Sequence, residues 1–265
     1  MEPSPPPPRD SQAVPPLAAR PRRPPTPVTF AIVGINVAVF AAQMVVPGHR
    51  GIDGVAERLA LFSPAVWHGE VWRMITAAFI HFGALHIFFN MFVLWDIGRL
   101  CEMVVGRLRY VLVYVASALG GTIASTIFTS GLSGGASGAL FGVAGALLAL
   151  VLLDHERRVF VQRDRLKSML IRFVVINGVL QFMIPHIDIG AHMGGLLTGA
   201  AAGALVFGRS RVAGARGPVI KWGSIAALVA IAAVGAWALH PVGLPRFEQW
   251  RSSPDQLIEQ LLGGR

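Results

Sequence analysis

Charge is scarce in this sequence. Only 14% of its 265 residues are Asp, Glu, Lys or Arg, while 54% are hydrophobic. A soluble domain carries about 25% charged residues, so a soluble globular enzyme is excluded and an integral membrane protein is expected. Cysteine is nearly missing. Cys101 stands alone, which rules out an internal disulfide and any cysteine-based metal site. No His-Glu-x-x-His pattern occurs, so a zinc-protease site of that type is absent. Nor is there an aspartyl pair, because Asp96 and Asp188 fall near opposite faces of the predicted membrane segments. A lipase-type nucleophile turn needs glycine two residues after its serine; Ala139 follows Ser137 there instead. No metal and no cofactor are expected. The net charge of +9 does not point to nucleic acid, because most Lys and Arg lie in loops between apolar runs, the pattern of membrane orientation. A cleavable signal peptide is not evident. The first apolar run is too long for one and follows a proline-rich stretch.

What is present is a series of long apolar runs. A span needs about 20 mostly apolar residues. Seven candidates occur: Val28 to Val46, Phe82 to Ile97, Tyr110 to Phe128, Ser137 to Leu153, Leu170 to Ile184, Ile187 to Phe207, and Val219 to Leu239. Arginine and lysine cluster before the first run and in alternate loops after it. They include Arg99, Arg107 and Arg109, then Arg157, Arg158, Arg163, Arg165 and Lys167, then Arg209, Arg211, Arg216 and Lys221. Seven spans with a cytoplasmic N-terminus and an external C-terminus satisfy the positive-inside rule. Residues 1–27 are rich in proline and arginine and read as a disordered cytoplasmic tail, with an SH3-type ligand as the alternative. The expected division is a core over 28–208, a basic linker over 209–218, an additional span over 219–240 and an external tail over 241–265: a six-helix core plus one. That tail carries Phe247, Trp250, Leu257 and Leu261 at the spacing of a surface amphipathic helix. Between the first two spans, Pro47 to Phe79 reads as a partly embedded external loop, with Trp67 and Trp72 as boundary anchors and a short helix around Val55 to Leu61.

Ionisable groups inside a membrane are costly and mark function by default. His86 and Asn90 are separated by about 40° on a helix and share a face, while His81 lies about 140° from His86. Two donors on one face can converge on one oxygen. His81 reads as structural. The stretch Gly131 to Gly142 sets Ser137 among Gly134, Gly135 and Gly138 at the head of a span. The stripe Gly138, Gly142, Ala146 matches a second one, Gly195, Gly199, Gly203, and stripes of small residues let helices approach closely. Packed together, they bring Ser137 toward His192, a nucleophile toward a base. Asp188 reads as the N-cap of the helix that carries His192 rather than as a third triad member. His49, His68, His155, His186 and His240 lie in loops or at span ends and carry no predicted role. In the predicted topology Ser137, His192, His86 and Asn90 all fall on the external side at shallow depth, where water can reach them.

These residues resemble the rhomboid family of intramembrane serine proteases. The matches are Trp72-Arg73; His81, His86 and Asn90 as H-x4-H-x3-N; Gly98 and Glu102 followed by Gly106 and Arg107; Gly135-Ala136-Ser137-Gly138; and Ala191-His192 with Gly195 and Gly199. Together they run from about Phe30 to Phe207 in the family's order and spacing. The resemblance implies an all-α polytopic membrane bundle and serine endopeptidase activity. Ser137 would attack a peptide carbonyl, with His192 as its base. The Ser137 N–H, His86 and Asn90 would form the oxyanion hole. His81 would be structural, Trp72-Arg73 would brace the first loop, and Glu102 the turn after the second span. An aromatic four residues after the serine stacks on the histidine in many members; Phe141 stands there, where well-studied members have tyrosine. The resemblance further implies single-span membrane proteins as substrates, and a plasma (inner) membrane location. The fifth span and the segment Pro185 to Gly190 would move aside for them. The rivals are a non-catalytic membrane-protein-binding relative, which would usually lack the serine or the histidine, and a transporter, whose polar groups would lie near the midplane.

Overall fold

The computed structural model describes residues 25–49, 51–129, 131–153, 163–183 and 187–208. The predicted basic linker, seventh span and external tail lie outside these residues, as does the predicted N-terminal tail up to residue 24.

The chain opens with α1, Pro27–Val45. Pro27 at the first helical position has no N–H to satisfy. The next two amides, of Val28 and Thr29, donate to the Glu102 carboxylate at 3.1 and 2.8 Å, and the Thr29 hydroxyl adds a third bond at 2.8 Å. Glu102 therefore caps α1 from 73 residues away. It braces the first helix, not the turn after the second span. A loop with three short helices follows: α2 (Gly54–Leu59), α3 (Ser63–Trp67) and α4 (Arg73–Thr76), the last running on as a 3₁₀ turn to Phe79. The short helix expected around Val55 to Leu61 is α2, capped by Asp53, which accepts from the Val55 and Ala56 amides.

The second long segment departs from its predicted limits. It begins at Ala84, not Phe82, because Gly83 at φ +109° breaks the chain. It continues past Ile97 through α5 (Ala84–Val93), a π-turn at Leu94–Gly98 and α6 (Arg99–Val105). Arg73–Phe79 and Ala84–Val105 meet at 92°, so the chain bends sharply between them. Gly106 (φ +85°) separates α6 from α7, Arg107–Phe128. Then come α8 (Ser137–Leu153), α9 (Arg163–Met183) and α10 (Ile189–Gly208). The apolar pattern predicts a fifth span from Leu170; α9 starts two turns earlier, through the charged residues Arg163, Asp164, Arg165 and Lys167. One feature is not helical. β1, Leu61–Phe62, pairs antiparallel with β2, Leu132–Ser133, and ties the first loop to the turn before α8.

Among the described residues, α1 and α7 are long and apolar enough to cross a bilayer alone, as is the bent pair taken as one span. α8 and residues Ile189–Leu205 of α10 are shorter apolar helices. α8 is buried nearly all round, as a helix apolar on every face must be. Its closest neighbours are α10 and α7. A Cβ on Gly195 or Gly199 would overlap the Gly138 or Gly142 carbonyl, and one on Gly203 would lie 2.7 Å from Ala146 Cα. α10 turns a second set of small residues to α7: a Cβ on Gly194 would meet the Gly120 carbonyl, and one on Gly121 would lie 2.7 Å from the Ala191 carbonyl. α10 is thus wedged between α7 and α8 by glycine on both sides.

On α1, by contrast, a Cβ added to Gly34 would have nothing within 4 Å. Gly199→Ala is therefore expected to lower the thermal unfolding midpoint in detergent, at an overpacking cost of about 1–3 kcal/mol, whereas Gly34→Ala leaves it unchanged or raises it. Equal midpoints for the two variants would refute the contact.

Candidate functional site

Ser137 opens α8, where the first N–H groups of a helix lack intrahelical partners. Its placement is set by the preceding turn. The Gly135 amide donates to the Ala77 carbonyl (2.9 Å), which pins the turn to the segment after α4. Gly135 has φ +124°, a conformation that favours glycine. A Cβ there would also sit 2.8 Å from His86 Nε2 and 3.7 Å from Ser137 Oγ. The missing side chain leaves the space between these two groups open.

His192 lies in the first turn of α10 and is 8% exposed. Its Nε2 is 2.7 Å from Ser137 Oγ. Phe141, one turn into α8, stacks on the imidazole with centroids 4.3 Å apart and planes 15° from parallel. Phe173 of α9 packs against the Phe141 ring at 5.4 Å. Among the described residues, His192 Nδ1 has no hydrogen-bond partner. Asp188 accepts the Ala191 amide at 2.9 Å and so caps α10.

His86 stands in the first turn of α5. Its Nδ1 accepts from the Phe82 amide at 3.2 Å. In the neutral ring that leaves the proton on Nε2, which faces the Gly135 turn as a donor. Asn90 is 6% exposed. Its Nδ2 donates to the His86 carbonyl at 2.8 Å, a bond within its own helix, and among the described residues its Oδ1 has no partner. The structure thus groups Ser137, His192 and His86, with Asn90 one turn after His86 on α5.

A helical wheel points His81 away from His86. In the structure His81 precedes the helix, and its ring meets that of His86 edge-on at 5.0 Å. It is 1% exposed, with its backbone held on both sides by Gln43 of α1: the amide donates to Oε1 (3.0 Å) and the carbonyl accepts from Nε2 (3.1 Å). Gln43 also donates to Asp53 at 3.0 Å. Sequence reasoning missed Gln43. A signal was there, since Asn36 and Gln43 are polar amides seven residues apart in an apolar run and therefore share a helix face.

Arg73 is buried in the first loop. Nε pairs with Glu70 at 2.7 Å, Nη1 reaches the Ala60 carbonyl at 2.8 Å, and Nη2 the Glu57 carbonyl at 2.9 Å. Trp72 is exposed, and its indole N–H donates to the Arg58 carbonyl at 3.3 Å. Both residues hold the end of α2 against α4. Among the described residues no cluster of His, Cys, Asp or Glu has the arrangement to hold a metal ion.

A serine and a histidine are thus in contact at the heads of two apolar helices, with a second histidine close by. The Rhomboid domain family model matches residues 68–209, and the chain belongs to the rhomboid family. With its apolar helices, it is an integral membrane protein. It is similar to RHOMBOID-like protein 5 of Arabidopsis thaliana, 32% identical over 233 residues and covering 74% of each chain. It is also similar to rhomboid protease GluP of Bacillus subtilis, 32% identical over 176 residues that make up 66% of this chain and 34% of that one. Rhomboid-like protease 1 of Toxoplasma gondii is 34% identical over 151 residues, 55% of this chain and 50% of that one. The match to GluP thus spans about a third of that relative's length.

Arg73→Lys keeps the charge but loses the planar fork that serves three acceptors. It is expected to destabilise the fold by at least about 1–3 kcal/mol, the cost of leaving buried partners unsatisfied. Thermal unfolding in detergent checks this, and a midpoint equal to wild type would contradict it.

Proposed function

We propose that this protein is an intramembrane serine endopeptidase that cuts transmembrane segments of membrane proteins near the external membrane face. The 2.7 Å separation of Ser137 Oγ and His192 Nε2 carries this reading. Ser137 Oγ attacks the peptide carbonyl carbon as its proton passes to His192 Nε2. The negative charge that develops on the carbonyl oxygen is met by the Ser137 N–H at the positive end of α8 and by the His86 Nε2–H. Asn90 still has one amide hydrogen to offer, and it fixes the turn that carries His86. Collapse of the tetrahedral intermediate breaks the C–N bond, and the leaving amine takes the proton from His192. Water then enters and attacks the acyl carbon as its proton passes to His192 Nε2; the ester C–O bond breaks as His192 returns that proton to Ser137 Oγ, releasing the carboxylic acid.

The positive-inside pattern supports a cytoplasmic N-terminus and an external site in the plasma (inner) membrane. Single-span proteins suit a site reached sideways from lipid. α9 supports a movable wall. It packs mainly on α8 among the described residues, and Val175, Ile176 and Val179 on it are exposed, as are Phe88, Phe89 and Phe92 of α5. Of the segment Pro185 to Gly190 assigned to the same motion, Pro185 and His186 lie outside the described residues.

A fluorophosphonate probe is expected to label the wild-type protein in membranes and not Ser137→Ala. His192→Ala is expected to lose cleavage of a transmembrane substrate with its unfolding transition intact. His86→Ala should reduce turnover by about 10²–10³-fold, the usual cost of one oxyanion donor. Equal labelling of wild type and Ser137→Ala would remove the dyad and favour a non-catalytic membrane-protein-binding role.

A further inference from the structure

We infer that Asp188 is a positioning residue whose carboxylate ties the start of α10 to the strand before Ser137 and so sets the approach of His192 to the Ser137 hydroxyl. This rests on the dyad proposed above.

The Asp188 carboxylate accepts four bonds. Oδ1 takes the Ala191 amide and the Thr129 hydroxyl, each at 2.9 Å. Oδ2 takes the Ser133 hydroxyl at 2.5 Å and the Ser125 hydroxyl. A helix cap needs only the first of these, and Ser, Thr or Asn would supply it. The other three come from the end of α7, the residue after it, and β2. Only an ionised carboxylate, with its roughly four lone-pair sites and no proton, accepts from all of them at once.

The positions of these partners set the geometry. Ser133 and Asp188 are 55 residues apart, as are Ser137 and His192. The first pair precedes the second by four residues on both chain segments. On α10 those four residues are one helical turn, closed by the His192 amide donating to the Asp188 carbonyl at 3.2 Å. On the other side they are the glycine turn from β2 into α8. The Ser133–Asp188 bond is therefore a rung one step before the reacting pair. It spans the same gap between the same two chain segments. The glycine stripes hold α8 and α10 together below Ser137 and His192; this rung holds them above. Asp188 does not act as a third triad member, since both of its oxygens are engaged and His192 Nδ1 has no partner among the described residues.

A displacement of about 1 Å in a reacting group can cost about 10²-fold in rate. In the full-length protein in proteoliposomes, Ser133→Ala is expected to lower kcat on a transmembrane substrate and the rate of fluorophosphonate labelling by about 10-fold or more. KM and the unfolding midpoint should stay close to wild type. The double variant Ser133→Ala/Asp188→Ala should lose no more activity per folded molecule than Asp188→Ala alone, because both remove the same rung. Wild-type kcat in Ser133→Ala, a loss that only tracks the unfolded fraction, or additive losses in the double variant would each overturn the clamp while leaving the dyad in place. A wild-type protein that cleaves its substrate yet is labelled no faster than Ser137→Ala would overturn the dyad, and the clamp with it.

Discussion

The close approach of α8 and α10 is the constraint on which the site depends. Within a bilayer, apolar side chains gain nothing by leaving lipid for another helix, so association relies on packing and on backbone proximity. Here Gly195, Gly199 and Gly203 lay the α10 backbone directly on the backbone of Gly138, Gly142 and Ala146. Ser137 immediately precedes the first member of one stripe, and His192 lies less than a turn before the first member of the other. Once the stripes are in register, the two side chains have one level at which to meet. The second contact of α10, through Gly194 against Gly120 of α7, removes its freedom to roll on α8.

The charged groups that brace this arrangement follow one electrostatic rule. Each sits at a helix end of the opposite partial charge. Glu102 takes the first free amides of α1, Asp188 takes an amide in the first turn of α10, and Arg73 takes carbonyls from the end of α2. Little water is at hand to satisfy helix ends at membrane depth, so internal partners are required. Using backbone ends as partners also joins distant segments. Glu102 links α6 to α1, and Arg73 links α4 to α2. The short β1–β2 ladder does the same with backbone alone, tying the first loop to the turn that delivers Ser137.

Much of this is legible in the sequence because its causes are local or periodic. The glycine stripes repeat every four residues, so the α8–α10 contact follows from helical geometry, and the limits of α8 match the apolar run from Ser137 to Leu153. Asp188 directly before an apolar helix signals a cap. What escapes such reading depends on the third dimension. A helical wheel misplaces His81, because Gly83 ends the regularity that a wheel assumes, and the ring turns toward His86 instead. Glu102 acts 73 residues away on an N-terminus whose own cap residue, Thr26, makes no side-chain capping bond. The hydroxyls of Ser125, Thr129 and Ser133 look ordinary in the sequence because no single one marks a site; their common target lies on another helix.

The plane of the His192 ring is set by packing. In the proposed dyad Nε2 accepts the Ser137 proton, so the neutral ring carries its own proton on Nδ1, a nitrogen buried without a partner among the described residues. An unsatisfied buried donor costs about 1–3 kcal/mol. Phe141 holds the ring plane at 15° to its own, and Phe173 backs the Phe141 ring from α9. Phenylalanine can do this without a hydroxyl, since the stacking surface is the same as that of tyrosine. A carboxylate beside Nδ1 would satisfy the donor but would bring a charge into a low-dielectric space, where its desolvation is expensive. Asp188 lies one helical turn before His192, and its oxygens are committed to four donors. The carboxylate thus fixes where α10 starts, and the stacked Phe141 fixes the plane of the imidazole.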